Sequence, residues 1–188
     1  MSAVADGDER LATYRGLMGV RWTFGEHALA SMLASHMHGR GAMPACLGLD
    51  ARMFGRMLDH HFPGIGRPDA VAGGGPWDMA TMPEYHELKA LFTEHQAAHL
   101  GEQPWWIEIM IVGCSGRNHL WEDLGLFTRR DLTRLMHELF PGLAARNDRD
   151  MKWKKFLYKQ LCDREGIVAC PAPSCDACAH FSECFSPE

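Results

Sequence analysis

Apolar residues recur at intervals of three and four over much of the chain, which is the spacing of one face of an α-helix. The first such segment predicts a helix over 23–38 that ends near Gly39. Its inward positions are Ala28, Met32, Leu33 and His36. We expect the first dozen residues to be a frayed tail.

A second helix is predicted after Asp50, because an aspartate side chain is a good N-cap and an amphipathic segment follows it. Its inward positions are Phe54, Met57, Leu58 and His61, and it ends before Pro63. The Gly- and Pro-rich segment 66–83 predicts an irregular connection. A third helix is expected over 83–100.

The last long helix is predicted over about 148–165, with Asn147, Asp148 or Asp150 as its cap. Its inward positions are Trp153, Phe156, Leu157, Gln160 and Leu161. A second stripe of this helix carries Lys152, Lys155 and Lys159. This stripe is either a solvated face or a surface that attracts an oxyanion or an acidic partner.

The segment PWWIEIMIVGC, 104–114, fits a buried strand as well as a helix. An internal repeat favours the helix, because this segment aligns with the Ala- and Leu-rich segment HALASMLASHM, some 77 residues earlier. The two regions also share Gly-Arg, Leu-Gly-Leu and Phe-Pro-Gly in the same order. We therefore predict a duplicated helix–loop–helix unit, with copies at about 24–65 and 104–143.

These elements predict an all-α fold. Neither copy of the repeat can bury its apolar face alone, so we expect a helical bundle in which the copies pack around a pseudo-twofold axis. The helical domain is expected over 1–166, followed by a Cys-rich tail at 167–188.

Composition narrows the class of function. The net charge of −5 argues against a general nucleic-acid binder. No apolar run is long enough to cross a membrane, and the N-terminus lacks an apolar signal core, so we expect a cytoplasmic protein with reduced thiols. Because no phosphate loop, dinucleotide fingerprint or nucleophile motif is present, catalysis is the weakest hypothesis.

Four of the seven cysteines lie in the tail with the spacing C-x4-C-x2-C-x5-C: Cys170, Cys175, Cys178 and Cys184. This spacing resembles that of iron–sulfur ligands, because it brings four thiolates together in a compact loop. Zinc is the alternative, although structural zinc sites usually have two Cys-x2-Cys pairs. Disulfides are a third possibility, which a reducing cytosol opposes.

Two further stretches place these cysteines in a familiar context. RNDRDMKWKKFLYKQLC precedes CPAPSCDACAHFSECF, and GCSGRNHLWEDLGL lies at 113–126. Together they resemble the NifQ family over roughly 105–185, with weaker likeness over 46–64. The four-cysteine spacing agrees with that of the family without departure.

The resemblance implies a carrier of metal rather than an enzyme. It implies a cytoplasmic metallochaperone with an iron–sulfur cluster that incorporates molybdenum, a Mo–Fe–S cluster, held by the four tail cysteines. It also implies donation of molybdenum, which originates from molybdate, for assembly of the nitrogenase iron–molybdenum cofactor. The expected partners are the scaffold NifEN and the nitrogenase iron protein, with no nucleic acid and no membrane.

Molybdenum needs more ligands than one thiolate, and Cys114, His119 and Cys162 are candidates to supply or guard them. The alternative is that Cys114 is a small core residue and that His119 caps a loop. The pair His60-His61 has a similar choice between metal binding and packing. Two other functions stay open: a small iron–sulfur electron carrier, and a helical adaptor with a structural zinc tail.

Overall fold

The computed structural model describes residues 2–18, 23–65, 77–101 and 103–165, and within these ranges it is all-α, with no β-strand. The α-helices are α1 (Ser2–Leu17), α2 (Phe24–Met37), α3 (Ala51–His61), α4 (Tyr85–His95), α5 (Trp105–Cys114), α6 (Leu120–Asp123), α7 (Arg129–Leu139), α8 (Pro141–Arg146) and α9 (Trp153–Glu165). Short 3₁₀ helices lie at Ala45–Gly48, Met79–Thr81 and Ala98–Leu100. The predicted Cys-rich tail at 167–188 lies outside the described residues. In the described ranges, every helix is too short or too polar to cross a membrane.

The helices begin where side chains can satisfy the first free backbone N–H groups. At the start of α2, the Thr23 hydroxyl accepts from the Glu26 N–H (3.3 Å) and the Glu26 carboxylate accepts from the Thr23 N–H (2.9 Å). Asp50 caps α3 by accepting from the Met53 N–H (2.7 Å), as predicted. Such caps stabilise a helix by about 0.5–2 kcal/mol each.

Helix α5 forms the centre of the core. Nine of its ten residues are buried, Glu108 being the exception, and this confirms the helix predicted over 104–114. Its apolar side chains are buried all round, which is typical of a helix enclosed by other helices. It packs against α3, α4 and α6.

The expectation of a frayed N-terminus is wrong, because residues 2–17 form α1 and this helix packs against α2. The Tyr14 hydroxyl lies 2.7 Å from Nδ1 of His27. The Arg10 guanidinium lies 4.4 Å from the centre of the Phe127 ring and donates to the Gly125 carbonyl (3.1 Å). These contacts attach α1 to both copies of the predicted repeat.

The helix predicted over 83–100 ends earlier, at His95. Gln96 is extended, and the Ala97 N–H donates to the carbonyl of Leu139 (2.8 Å) instead of to its own helix. This tertiary hydrogen bond ends α4 and leaves only a short 3₁₀ helix at 98–100.

The last long helix begins at Trp153, not near residue 148 as predicted. The side chain of Asn147 closes a turn by accepting from the Met151 N–H (2.8 Å) and donating to the Met151 carbonyl (3.0 Å). Asp150, inside this turn, has a φ of +50°, which no α-helix allows. The polar residues that suggested a helix cap therefore form a turn that precedes the helix.

The two predicted copies pack against each other reciprocally. α3 of the first copy packs against α5 of the second, and α7 of the second packs against α2 of the first. Gly48 lies against Val112 of α5, and Gly125 lies against Ser35 of α2. Both pairs of equivalent residues are 77 positions apart. These contacts agree with the predicted alignment, while the duplication itself stays a prediction.

Gly48 and Gly125 are both needed, because each has a positive φ and neither position has room for a Cβ. Gly125 has a φ of +77°, and a Cβ there would lie 2.6 Å from the Cβ of Ser35. Gly64 has a similar φ, +88°, but a Cβ there would meet nothing within 4 Å.

We expect Gly64→Ala to lower the free energy of unfolding by about 1 kcal/mol through backbone strain. Gly125→Ala should cost about 1–3 kcal/mol more through overpacking. Urea unfolding measures both, and equal losses would contradict the close packing of the copies.

Candidate metal centre

The four predicted cluster ligands, Cys170, Cys175, Cys178 and Cys184, lie outside the described residues. The structure does describe the helix that leads to them. α9 ends at Glu165, five positions before Cys170 in the sequence.

Helix α9 gives the tail a firmly held origin. It buries Trp153, Phe156, Leu157, Tyr158, Leu161 and Cys162 in the core. Near its C-terminal end, Arg164 forms an ion pair with Glu94 of α4. The predicted inward stripe is therefore correct for its apolar members, whereas Gln160 is only half-buried. Lys159, on the predicted lysine stripe, is exposed and pairs with Asp163 (2.8 Å).

The two candidate ligand cysteines of the described residues are buried. Cys114 is 1% exposed at the end of α5, and Cys162 is 5% exposed in α9. Burial raises the pKa of the Cys114 thiol to about 12, although the nearby Lys154 ammonium acts in the opposite direction. A thiol with such a pKa stays protonated at neutral pH and is a poor metal ligand until a metal or a movement displaces its proton.

His119 is the N-cap residue of α6. Its backbone N–H donates to the Glu122 carboxylate (3.1 Å), and its side chain is half-buried. The structure thus places it where the loop-capping alternative expected it. Among the residues that the structure describes, no three His, Cys, Asp or Glu side chains are arranged to hold a metal ion.

Next to Cys114, the structure contains a buried ion pair that the sequence analysis missed. Asp123 is fully buried and pairs with Lys154, which is 8% exposed. Lys154 also donates to the carbonyl of Gly116 (2.8 Å). The second partner of the Asp123 carboxylate is Asn118, which donates from its backbone N–H (3.0 Å) and its side-chain amide (3.1 Å).

The ion pair fixes the loop 115–119. A Cβ at Gly116 would collide with the carboxylate of Asp123, so only glycine fits there. The Asp123 carbonyl also accepts from the N–H of Ala42 (2.8 Å) in the first copy. One signal in the sequence pointed to this arrangement: Lys154 shares a helical face with Leu157 and Leu161, and a charged residue on a buried face needs a partner.

Of the pair His60-His61, His61 is packed in the core. The His61 ring is 8% exposed and lies 5.7 Å, centre to centre, from each of the rings of Trp105 and Trp106. Its Nε2 is buried with no hydrogen-bond partner. Burial, with a smaller contribution from His60, lowers the pKa of His61 to about 4. This ring is therefore neutral at physiological pH.

The buried pair predicts a strong asymmetry between single and double substitutions. Lys154→Met alone should lower the free energy of unfolding by about 3–5 kcal/mol, because it leaves the Asp123 carboxylate buried without a counter-ion. The double variant Asp123→Asn/Lys154→Met should recover much of this loss. Lys159→Met, at an exposed pair, should change stability by less than about 0.5 kcal/mol. Urea denaturation measures these three variants and the single variant Asp123→Asn, and a double variant as unstable as the sum of its singles would refute the pairing.

The lowered pKa of His61 predicts a pH dependence of stability. Because the unfolded chain binds the proton more readily, the stability present above about pH 6.5 should be lost as the pH falls through 4, by at most about 3 kcal/mol. His61→Gln should flatten the dependence between these values. The measurement is the free energy of unfolding against pH, and an unchanged slope in the variant would rule out His61 as its source.

Comparison with known proteins adds the family. The NifQ family model matches residues 28–186, which include the four tail cysteines. The chain is 35% identical over 170 residues to the protein NifQ of Azotobacter vinelandii, which covers 85% of this chain and 87% of that protein. It is 34% identical over 160 residues to NifQ of Rhodobacter capsulatus, with the same shares.

A shorter match is closer in sequence. Over 69 residues, 36% of this chain and 41% of the relative, the identity with NifQ of Klebsiella pneumoniae is 51%. No solved structure gives a significant match. The family model and the two long alignments show that the chain belongs to the NifQ family.

Proposed function

We propose that this chain acts in biosynthesis of the nitrogenase iron–molybdenum cofactor, by carrying molybdenum in a Mo–Fe–S cluster and donating it to the cofactor scaffold. The observation that carries the proposal is the family match, which extends through the whole four-cysteine segment to residue 186. The expected recipients are NifEN and the nitrogenase iron protein. The chain is proposed to be a carrier, not an enzyme.

The donor set fits this cargo. Four thiols within fifteen positions supply soft anionic ligands, which suit iron and reduced molybdenum. Cys170, Cys175, Cys178 and Cys184 would hold the cluster. The buried and protonated Cys114 supports assigning the cluster to the tail thiols first.

The remaining candidates differ in access. Cys114 and Cys162 are enclosed by the core, so metal binding by either needs α5 or α9 to move. His119 is half-buried at a loop that the Asp123–Lys154 pair fixes. Of the three, His119 is therefore the best additional ligand for molybdenum, because its ring can be reached without opening the core.

The order of the chain suits delivery. α9 is buried against the core, and the four cysteines follow this helix in the sequence, whereas the described core is complete without them. A cargo must be reached by a partner, whereas a structural metal site gains nothing from access. This difference favours a carrier over an adaptor with a zinc staple.

The test is metal analysis of protein purified without oxygen from molybdate-fed cells. We expect iron and molybdenum together, with an electron paramagnetic resonance signal of a cluster. Replacement of any tail cysteine by Ala should remove the metals and the signal. Helix content, measured by circular dichroism, should stay nearly unchanged because the described core contains none of these residues. Cys46→Ala is the control, and it should keep the metals.

Other outcomes separate the alternatives. Iron without molybdenum would replace the proposal with an electron carrier. Zinc alone, in a colourless protein, would make the tail a structural staple. Global unfolding of the tail variants would contradict the separation between a folded helical domain and a cluster-binding tail.

A further inference from the structure

A groove of about 670 Å³ lies between α7 and the turn that precedes α9. Its lining residues are Arg129, Arg130, Thr133, Arg134, His137 and Asp150. Three guanidinium groups thus face one carboxylate, on a chain whose net charge is −5. A concentration of positive charge on an acidic protein attracts anions to that place.

Two of the arginines are held in position. Arg134 lies over the ring of Phe24, with its guanidinium carbon 4.3 Å from the ring centre. Arg129 donates to the carbonyl (2.9 Å) and the carboxylate (2.7 Å) of Asp150. Arg130 and Arg134 are four positions apart, and therefore lie on one face of α7. Neither of these two makes an ion pair with a described carboxylate.

The floor of the groove is fixed as well. The indole N–H of Trp153 donates to the hydroxyl oxygen of Thr133 (3.3 Å), which joins α9 to α7 there. A ligand in the groove would therefore meet side chains that are already arranged, and little ordering would oppose its binding.

Asp150 supplies the carboxylate that lines the groove, and it pairs with Arg129. Its side chain is 72% exposed and that of Arg129 is 43% exposed, so their pair contributes little to stability. Asp150 also has a φ of +50°, an unfavourable backbone conformation for a residue with a side chain. Strain of this kind often marks a site whose local structure serves binding.

We propose that this groove binds a tetrahedral oxyanion through Arg130, Arg134 and His137, in competition with Asp150 for Arg129. Guanidinium groups suit this ligand because they donate two parallel hydrogen bonds to its oxygens. The helix N-terminus is not the site, since Thr128 and Asp131 already cap it. Identification of the physiological ion as molybdate rests on the proposed function, whereas the groove itself does not.

The groove is distinct from the predicted cluster site. Thr133, which lines the groove, accepts a hydrogen bond from Trp153 at the start of α9, and α9 continues for twelve residues, about 18 Å, beyond Trp153. The groove therefore adjoins the N-terminal end of α9, whereas the four tail cysteines follow the C-terminal end of this helix in the sequence.

Equilibrium dialysis of the full chain against molybdate, and separately against sulfate, at constant ionic strength tests the groove. We expect saturable binding of one ion per chain. Arg130→Gln/Arg134→Gln should weaken it by roughly tenfold, because charge-assisted hydrogen bonds are lost. Asp150→Asn should strengthen it about threefold, because the competing carboxylate is removed.

A matched control removes the same charge elsewhere. Arg52 and Arg56 are exposed on α3, at positions that align with Arg129 and Arg134 in the predicted repeat. Arg52→Gln/Arg56→Gln should leave oxyanion binding unchanged. If both double variants weakened oxyanion binding equally, the effect would come from the net charge of the chain, and the groove would not be the binding site.

The tail variants separate this proposal from the proposed function. If alanines at the four tail cysteines abolish oxyanion binding while the groove variants keep it, the groove is not the site. If the groove variants lose oxyanion binding, the groove stands whether or not the purified protein contains a cluster. If the proposed cluster does not exist, the purified protein will lack iron. The groove variants should not change the iron content.

Discussion

The ion pair between Asp123 and Lys154 joins three parts of the chain that are distant in sequence. Its carboxylate closes the loop 115–119, its ammonium belongs to α9, and the Asp123 carbonyl accepts from Ala42 in the first copy of the predicted repeat. Burial of two charges costs several kcal/mol per ion, which only good geometry and further hydrogen bonds offset. Gly116 and Asn118 supply these contacts, so the pair joins the start of α9 to the loop 115–119.

The residues that fold the helical core are different from the residues that we propose to bind metal. The described helices bury a continuous core around α5, and the thiols inside it, such as Cys114, are held protonated by their surroundings. The four tail cysteines that we propose as metal ligands follow α9 in the sequence. Under that proposal, exchange of the cargo needs no repacking of the described helices. The proposed oxyanion groove on α7 differs from the tail, because its arginines attract a ligand by negative charge and not by affinity for sulfur.

Much of the fold could be predicted, because capping residues and apolar periodicity are local signals. The helices that follow Thr23 and Asp50 illustrate this, as does the buried helix α5. The start of α9 could not, because Asp150 and its neighbours are good caps in isolation, whereas the hydrogen bonds of Asn147 with Met151 and of Arg129 with Asp150 hold them in a turn. The partner of Lys154 was equally hidden, since Asp123 lies 31 positions away in the sequence.

We propose that molybdenum is carried by sulfur ligands of the tail, in a cluster with iron. The X-ray absorption spectrum of molybdenum, in the full chain purified without oxygen, measures this most directly. Molybdenum bound in this way should have sulfur and iron neighbours, which are lost when Cys170 or Cys178 is replaced by Ala. A spectrum with oxygen neighbours alone, unchanged by these substitutions, would contradict it and would leave the arginine groove as the place where the metal is held.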